Sequence, residues 1–542
     1  MKPDVLPVAD PVTRSRQTRD GLRLDASVWR PVGPGSWPVL LMRQAYGRAI
    51  ASSVVLAHPS WYAAHGYIVM VEDVRGTGTS EGRFSFLGDD LEDGPGALDV
   101  AANLDGSTGK VGLYGFSYQG INPFLTLAGA RNSGSTLPGA IVTSMASWNV
   151  RDHLIWEGGA IRLQLMNLAL QYAVTQAERA GDVAAFTALR AAAQAMPLSE
   201  EYSTQPSVLA RFGHYAPWAD WLIDDPSYWA ERSPCNQLSE IGVATLVIGG
   251  QMDALVDGSS ACWAQLSREP ATPSRLILGP WGHIPWGRRA GSDLGQAAAY
   301  DCDAASVRWF DQHLKGLPQA QEPRIEAFDL GARSWRSLPD MPGKPTKIWF
   351  LSSDGLAGTR SDRGALAPEP TPAQADVIVH DPWRPVPALG GHLAGGMIER
   401  GHLDERTDVA VYTSEPFDGA TTIAGPPHIV LQAQSDAASF DLAVTLSLVS
   451  PDGSSVLSLS TGFCRVRPDA AGPYAIALRP LCVTPARGMR LRVSIAGAAW
   501  PAFTVNPGTG APDSSHRLID ARPITLKIQC DGVSRITLPV SA

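Results

Sequence analysis

The run Val111-Gly112-Leu113-Tyr114-Gly115-Phe116-Ser117-Tyr118-Gln119-Gly120 ends a continuous apolar stretch on a serine among small residues. That pattern predicts a buried strand turning sharply into a helix, with the serine hydroxyl carried at the tip of the turn. Glycines around such an elbow relieve crowding where strand meets helix. Gly115 stands two before the serine as expected, but Gln119 occupies the usual place of the second glycine, and Gly120 follows one later. Taken alone, the motif suits an ordinary strand–turn–helix serine as well as a nucleophile.

Two later runs supply context. Ala244-Thr245-Leu246-Val247-Ile248-Gly249-Gly250 reads as a buried parallel strand, with Asp253 in the loop beyond it. Arg275-Leu276-Ile277-Leu278-Gly279 reads as another, followed by Pro280-Trp281-Gly282-His283. Serine, aspartate and histidine thus occur in the α/β-hydrolase order, each just after a strand. Carboxyl ends of parallel strands are where open α/β sheets meet their ligands.

The residue types fit acyl transfer. A serine hydroxyl becomes an effective nucleophile when an imidazole removes its proton, and a carboxylate fixes the imidazole tautomer. The expected roles are Ser117 as nucleophile, His283 as general acid–base and Asp253 as orienting acid. Asp257 is the alternative acid. Against this stand the ordinary roles of a loop aspartate as a turn former and of most of the 11 histidines as surface or core residues.

With these residues in place, the chain resembles the cocaine-esterase-like and Xaa-Pro dipeptidyl-peptidase family of α/β-hydrolase serine hydrolases. The serine motif, with Tyr after the serine and Gly three after it, carries the resemblance. So do Asp73-Val74-Arg75-Gly76-Thr77-Gly78-Thr79-Ser80-Glu81-Gly82, the histidine segment Gly279–His283, and Trp309-Phe310-Asp311-Gln312-His313-Leu314-Lys315-Gly316. The resemblance implies an oxyanion hole built from the Tyr46 hydroxyl and the Tyr118 N–H, with packing of Tyr46 under its loop as the lesser alternative. It also implies a helical cap, a jelly-roll third domain and a pocket tryptophan at Trp156. Phe116 and Trp148 are further candidates to line an apolar acyl pocket, with cap core as the alternative for both tryptophans.

The expected fold is therefore α/β: an α/β-hydrolase core with an inserted helical cap and a C-terminal β-sandwich. Core segments are expected at 1–146 and 241–345, the cap at 147–240, and the jelly roll at 346–542. Alanine- and leucine-rich spacing in 178–193 suits cap helices, and β-type runs such as Lys347–Leu351 and His428–Ala433 suit the sandwich.

Gly76 and Gly78 match neither a P-loop nor a dinucleotide fingerprint, and a structural turn held by Arg75 is the expectation. No Cys-x-x-Cys or His-x-x-x-His pair proposes a metal, so no cofactor is expected. A net charge of −9 gives no electrostatic reason to bind nucleic acid or anionic membrane. Six scattered cysteines and an amino terminus without a signal-like apolar core point to the cytoplasm, with a Cys464–Cys482 link left open. A small-molecule acyl substrate is the expected partner, and a homodimer is compatible with the sequence.

The expected activity is hydrolysis of a carboxylic ester of an uncharged or aromatic acyl group through an acyl-enzyme. Apolar residues stand after Asp253 where amino-ester hydrolases of the family carry acids, which disfavours a substrate ammonium, although Glu157 is read as an uncommitted carboxylate. Amide chemistry of the dipeptidyl-peptidase or β-lactam acylase type, and acyl transfer or cyclisation onto a substrate hydroxyl or amine, are the alternatives. A catalytically silent scaffold is the reading from another class.

Overall fold

A computed structural model describes residues 5–49, 55–197, 204–223, 225–284, 294–393, 396–419 and 421–541. Residues 1–4, part of the terminus read for a signal sequence, lie outside these.

The first sheet is built by β1 (Val12–Gln17), β2 (Arg23–Trp29), β3 (Trp37–Gln44), β4 (Ile68–Asp73), β5 (Ser107–Phe116) and β6 (Ala140–Ser144). After the small hairpin β7 (Trp156–Glu157) and β8 (Ala160–Ile161), it continues through β9 (Ala244–Gly250), β10 (Ser274–Gly279), β11 (Ile325–Asp329) and β12 (Ser334–Ser337). Ten strands join in the order β1-β2-β4-β3-β5-β6-β9-β10-β11-β12. Pairing is parallel from β4 through β11 and antiparallel at both margins. The central strands can be apolar throughout because helices cover both faces: β4 and β9 are buried at every position.

In-register pairing aligns the carboxyl ends of these strands. Phe116 lies opposite Ser144, Ser144 opposite Ile248, and Gly250 opposite Gly279. The loops after β5, β9 and β10 therefore leave one edge of the sheet together. This juxtaposition makes three residues far apart in sequence neighbours in space.

Helices α1 (Pro59–Ala64), α2 (Asp90–Ala102) and α3 (Tyr118–Ser133) belong to the core. Between β6 and β9 the chain turns helical, with α4 (Met166–Arg179) and α5 (Val183–Gln194) the longest members. One apolar cluster unites Leu170, Tyr172, Leu189, Trp218 and Trp221 of this segment with Tyr118, Ile121 and Leu255 of the core. The cap is thus packed onto the sheet edge where the three loops emerge. Polar contacts reinforce the packing: Gln176 Nε2 donates to the Gly76 carbonyl at 3.0 Å and Arg179 Nη2 to that of Ser80 at 2.8 Å.

From Lys344–Ser353 onward the chain is almost entirely β. An 11-stranded sheet and a three-stranded sheet face one another across a core that includes Leu351, Ile378, Val444, Val493, Leu526 and Ile536. The three-stranded sheet shows the alternation of a half-buried surface, with Ile524, Leu526, Ile528 and Cys530 turned inward. The expected strands at 347–351 and 428–433 fall within Lys344–Ser353 and across His428–Leu431 and Ala433–Ser435. The Cys464–Cys482 link left open above is absent, as all six cysteines are free thiols.

Candidate active site

Ser117 sits between β5 and α3 with φ 60° and ψ −123°, a conformation that side chains with a Cβ rarely adopt. Close packing of strand and helix holds it there. A Cβ on Gly115 would stand 2.1 Å from the Gln119 carbonyl oxygen. At Gly120 a Cβ would meet the Ser144 carbonyl and the Ala146 Cβ, both at 3.0 Å. The contacts thus require small residues at 115 and 120, and they leave 119 free to be glutamine.

His283 links the serine to the acid. Its Nε2 lies 3.1 Å from Ser117 Oγ and its Nδ1 lies 3.0 Å from Asp253 Oδ1. Asp253 is completely buried, whereas the His283 side chain is 27% exposed. A carboxylate only accepts hydrogen bonds, so it selects the tautomer with the proton on Nδ1 and leaves Nε2 to accept from the serine. Asp253 Oδ1 also accepts the Leu255 N–H at 3.1 Å, which fixes the loop behind it. Asp257, the alternative acid, lies instead 3.8 Å from Arg479 Nε.

Tyr46 follows β3 at the same edge, and its ring stacks on Tyr172 of α4 at 5.7 Å and 12°. Burial raises the pKa of its phenol, while hydrogen bonding with Tyr172 and Ser117 acts the other way. The hydroxyl therefore keeps its proton and stands at the serine. The Tyr118 N–H opens α3, where a helix has no intrahelical acceptor to offer it. The Tyr118 ring is anchored from below: its hydroxyl donates to Asp90 at 2.8 Å, and Arg43 bridges Asp90 at 2.6 Å and Glu72 at 2.9 Å.

The three aromatic candidates fall in different surroundings. Phe116 packs its ring 4.8 Å from that of His283. Trp156 donates its indole N–H to the Trp221 carbonyl at 3.0 Å inside the cap cluster. Trp148 lies edge-on to Phe124 at 5.2 Å in the apolar core of the sheet domain. Glu157, read as uncommitted, is instead locked between two guanidiniums, Arg162 and Arg479, each at 2.8 Å. Its carboxyl is held well below the usual range: burial opposes ionisation, but Arg479 and Arg162 outweigh it. Arg162 stands only five residues along the chain, but nothing local in the sequence announces Arg479, which lies 322 residues from Glu157.

The Asp73–Gly82 segment is a structural turn. Arg75 reaches Asp93 at 2.9 Å and Asp20 at 2.7 Å. No group of three or more metal-ligating side chains occurs among the described residues, and none of their helices is long and apolar enough to cross a membrane.

Comparison with known proteins agrees with this architecture. The sequence model of the X-Pro dipeptidyl-peptidase (S15 family) matches residues 20–285. That of the X-Pro dipeptidyl-peptidase C-terminal non-catalytic domain matches residues 319–528. The cocaine esterase of Rhodococcus sp. (strain MB1 Bresler) is 28% identical over 96% of this chain and 94% of its own length. Among solved structures, an alpha-amino acid ester hydrolase superposes with a TM-score of 0.79 at 22% identity, covering 98% of this chain and 97% of that one. A CocE/NonD family hydrolase from Staphylococcus aureus gives 0.67 at 16% identity, covering 99% and 93%.

Proposed function

This chain belongs to the cocaine-esterase-like and X-Pro dipeptidyl-peptidase (S15) family of serine hydrolases, and on that premise we propose that it hydrolyses carboxylic esters of uncharged or aromatic acyl groups. The observation that carries the reading is the position of His283, within hydrogen-bonding reach of both Ser117 and Asp253.

In this reading Ser117 Oγ attacks the acyl carbonyl as its proton passes to His283 Nε2. Asp253 holds the ring and offsets the charge of the imidazolium that forms. The carbonyl oxygen, now an alkoxide, accepts hydrogen bonds from the Tyr118 N–H and the Tyr46 hydroxyl. Such donors act most strongly on charge that appears only as the carbon becomes tetrahedral. His283 then protonates the departing alcohol, leaving the acyl group on Ser117. Water, activated by the same imidazole, releases the acid and restores the serine.

The ester reading is favoured over an aminopeptidase reading by Glu157. A substrate ammonium needs an available carboxylate, and this one is already paired with two arginines. The test is a panel of p-nitrophenyl esters, amino-acid p-nitroanilides and β-lactams, run beside Ser117→Ala. Turnover of aryl esters, abolished by the substitution, is expected. Turnover confined to the anilides or β-lactams would replace the ester reading with amide chemistry.

A further inference from the structure

A buried charge cluster lies where cap, core and β-domain meet. Arg162 directly follows β8 and is 1% exposed. Its Nη1 donates to the Ala254 carbonyl at 2.7 Å, one residue beyond Asp253, and its Nη2 pairs with Glu157 at 2.8 Å. From the β-domain, Arg479 grips the same Glu157 oxygen at 2.8 Å, and its Nε lies 3.8 Å from Asp257. His392 approaches the other Glu157 oxygen at 3.4 Å. The backbone of His153 also faces Arg162, its carbonyl 3.5 Å from Nη1.

Asp253 itself supplies the second observation. Its Oδ1 is occupied by His283 and the Leu255 N–H, but its buried Oδ2 receives no hydrogen bond among the described residues. Arg162 attracts Asp253 electrostatically, which offsets part of the cost of burying that oxygen.

We propose that Arg162 is a positioning residue for Asp253, fixing the acid loop through the Ala254 carbonyl and balancing its charge, and that Arg479 of the β-domain holds Arg162 in place through Glu157. The inference rests on the triad reading of Ser117, His283 and Asp253. It gives the domain matched as non-catalytic a stake in the chemistry, by a path of contacts from Arg479 to Glu157 to Arg162 to the loop beside Asp253.

The test compares Arg162→Gln, which loses the charge but keeps a donor, with Arg162→Lys, which keeps the charge. The readouts are the kcat/KM pH profile on an aryl ester and the rate of fluorophosphonate labelling. In Arg162→Gln the cation that attracts Asp253 is gone, so the acid limb of the profile moves to higher pH. Labelling and kcat fall by about tenfold or more, with KM little changed. Arg162→Lys keeps the acid limb at its wild-type position. A fall in rate with an unmoved limb, a wild-type profile in Arg162→Gln, or an equal shift in Arg162→Lys would each overturn the inference. Should Arg162→Gln yield no folded protein, Arg479→Gln carries the test: an upward shift of the limb supports the inference, and an unmoved limb overturns it. Ser117→Ala separates the two levels. Labelling that survives in it removes the triad reading, whereas its loss beside a wild-type Arg162→Gln removes only the role of Arg162.

Discussion

Gly115 and Gln119 approach so closely that a Cβ on the glycine would lie 2.1 Å from the glutamine carbonyl oxygen. Neither partner can yield cheaply, since one is strand backbone and the other the first turn of α3. Gly115→Ala is expected to displace Ser117 and lower fluorophosphonate labelling by about a hundredfold, with overpacking costing on the order of 1–3 kcal/mol of stability. Gly120→Ala, whose nearest contacts are at 3.0 Å, should be the milder change in both assays. Equal labelling in the two variants would show that the elbow does not depend on this contact.

The Tyr46 hydroxyl offers a sharper kinetic test. If it donates to the developing oxyanion, Tyr46→Phe lowers kcat by ~10²–10³ and leaves KM nearly unchanged. An effect confined to KM would move Tyr46 from the reaction to substrate binding.

Asp253 and Asp257 lie four positions apart and have different partners. Asp253 meets His283 at 3.0 Å, and Asp257 lies 3.8 Å from Arg479. Asp253→Asn should therefore reduce kcat by roughly 10⁴ through the wrong imidazole tautomer. Burial pushes the Asp257 carboxyl up to about 6 against the pull of Arg479, and Asp257→Asn should cost far less activity. Comparable losses in both variants would contradict the assignment of the acid.

His153 makes a prediction about stability. Burial, together with the nearby Arg162, lowers its pKa to about 4, although Asp152 favours the charged form. Its Nδ1 accepts the Asn149 N–H at 3.1 Å, a contact that only the neutral ring can make. An unfolded chain binds this proton near pH 6.5. The stability contributed by His153 is therefore complete above about 6.5 and is lost as pH falls toward about 4. Urea midpoints measured at about pH 7 and about pH 5 should differ less in His153→Gln than in the wild type. An unchanged difference would mean that other groups carry the acid sensitivity.

Ser117, Asp253 and His283 could be picked out in the chain because each follows within four residues an apolar strand with glycine at or near its end, and a parallel sheet brings such ends to one edge. Gln119 departs from the fixed spacing of the motif, yet the second position where a side chain would be crowded is Gly120, whose Cβ would meet the Ser144 carbonyl at 3.0 Å. The tryptophans were less legible, since an aromatic side chain has the same sequence signature in a core as in a pocket. Trp148 against Phe124 and Trp156 bonded to Trp221 are decided by packing. Glu157 was misread because its neutralisation depends on a guanidinium from another domain. No local pattern encodes a partner that arrives only when cap and β-domain dock.

The β7–β8 hairpin, finally, is fastened along its length to the β-domain. The Arg465 N–H donates to the Gly158 carbonyl at 2.7 Å, the Ile161 N–H to Asp513 at 3.1 Å, and the Leu163 N–H to the Ala502 carbonyl at 2.8 Å. Swinging the cap away as a rigid flap would break all three bonds and expose the Glu157 ion pairs. The hairpin and the β-domain therefore form one mechanical unit, and the hairpin cannot serve as a hinge on which the cap swings free of that domain.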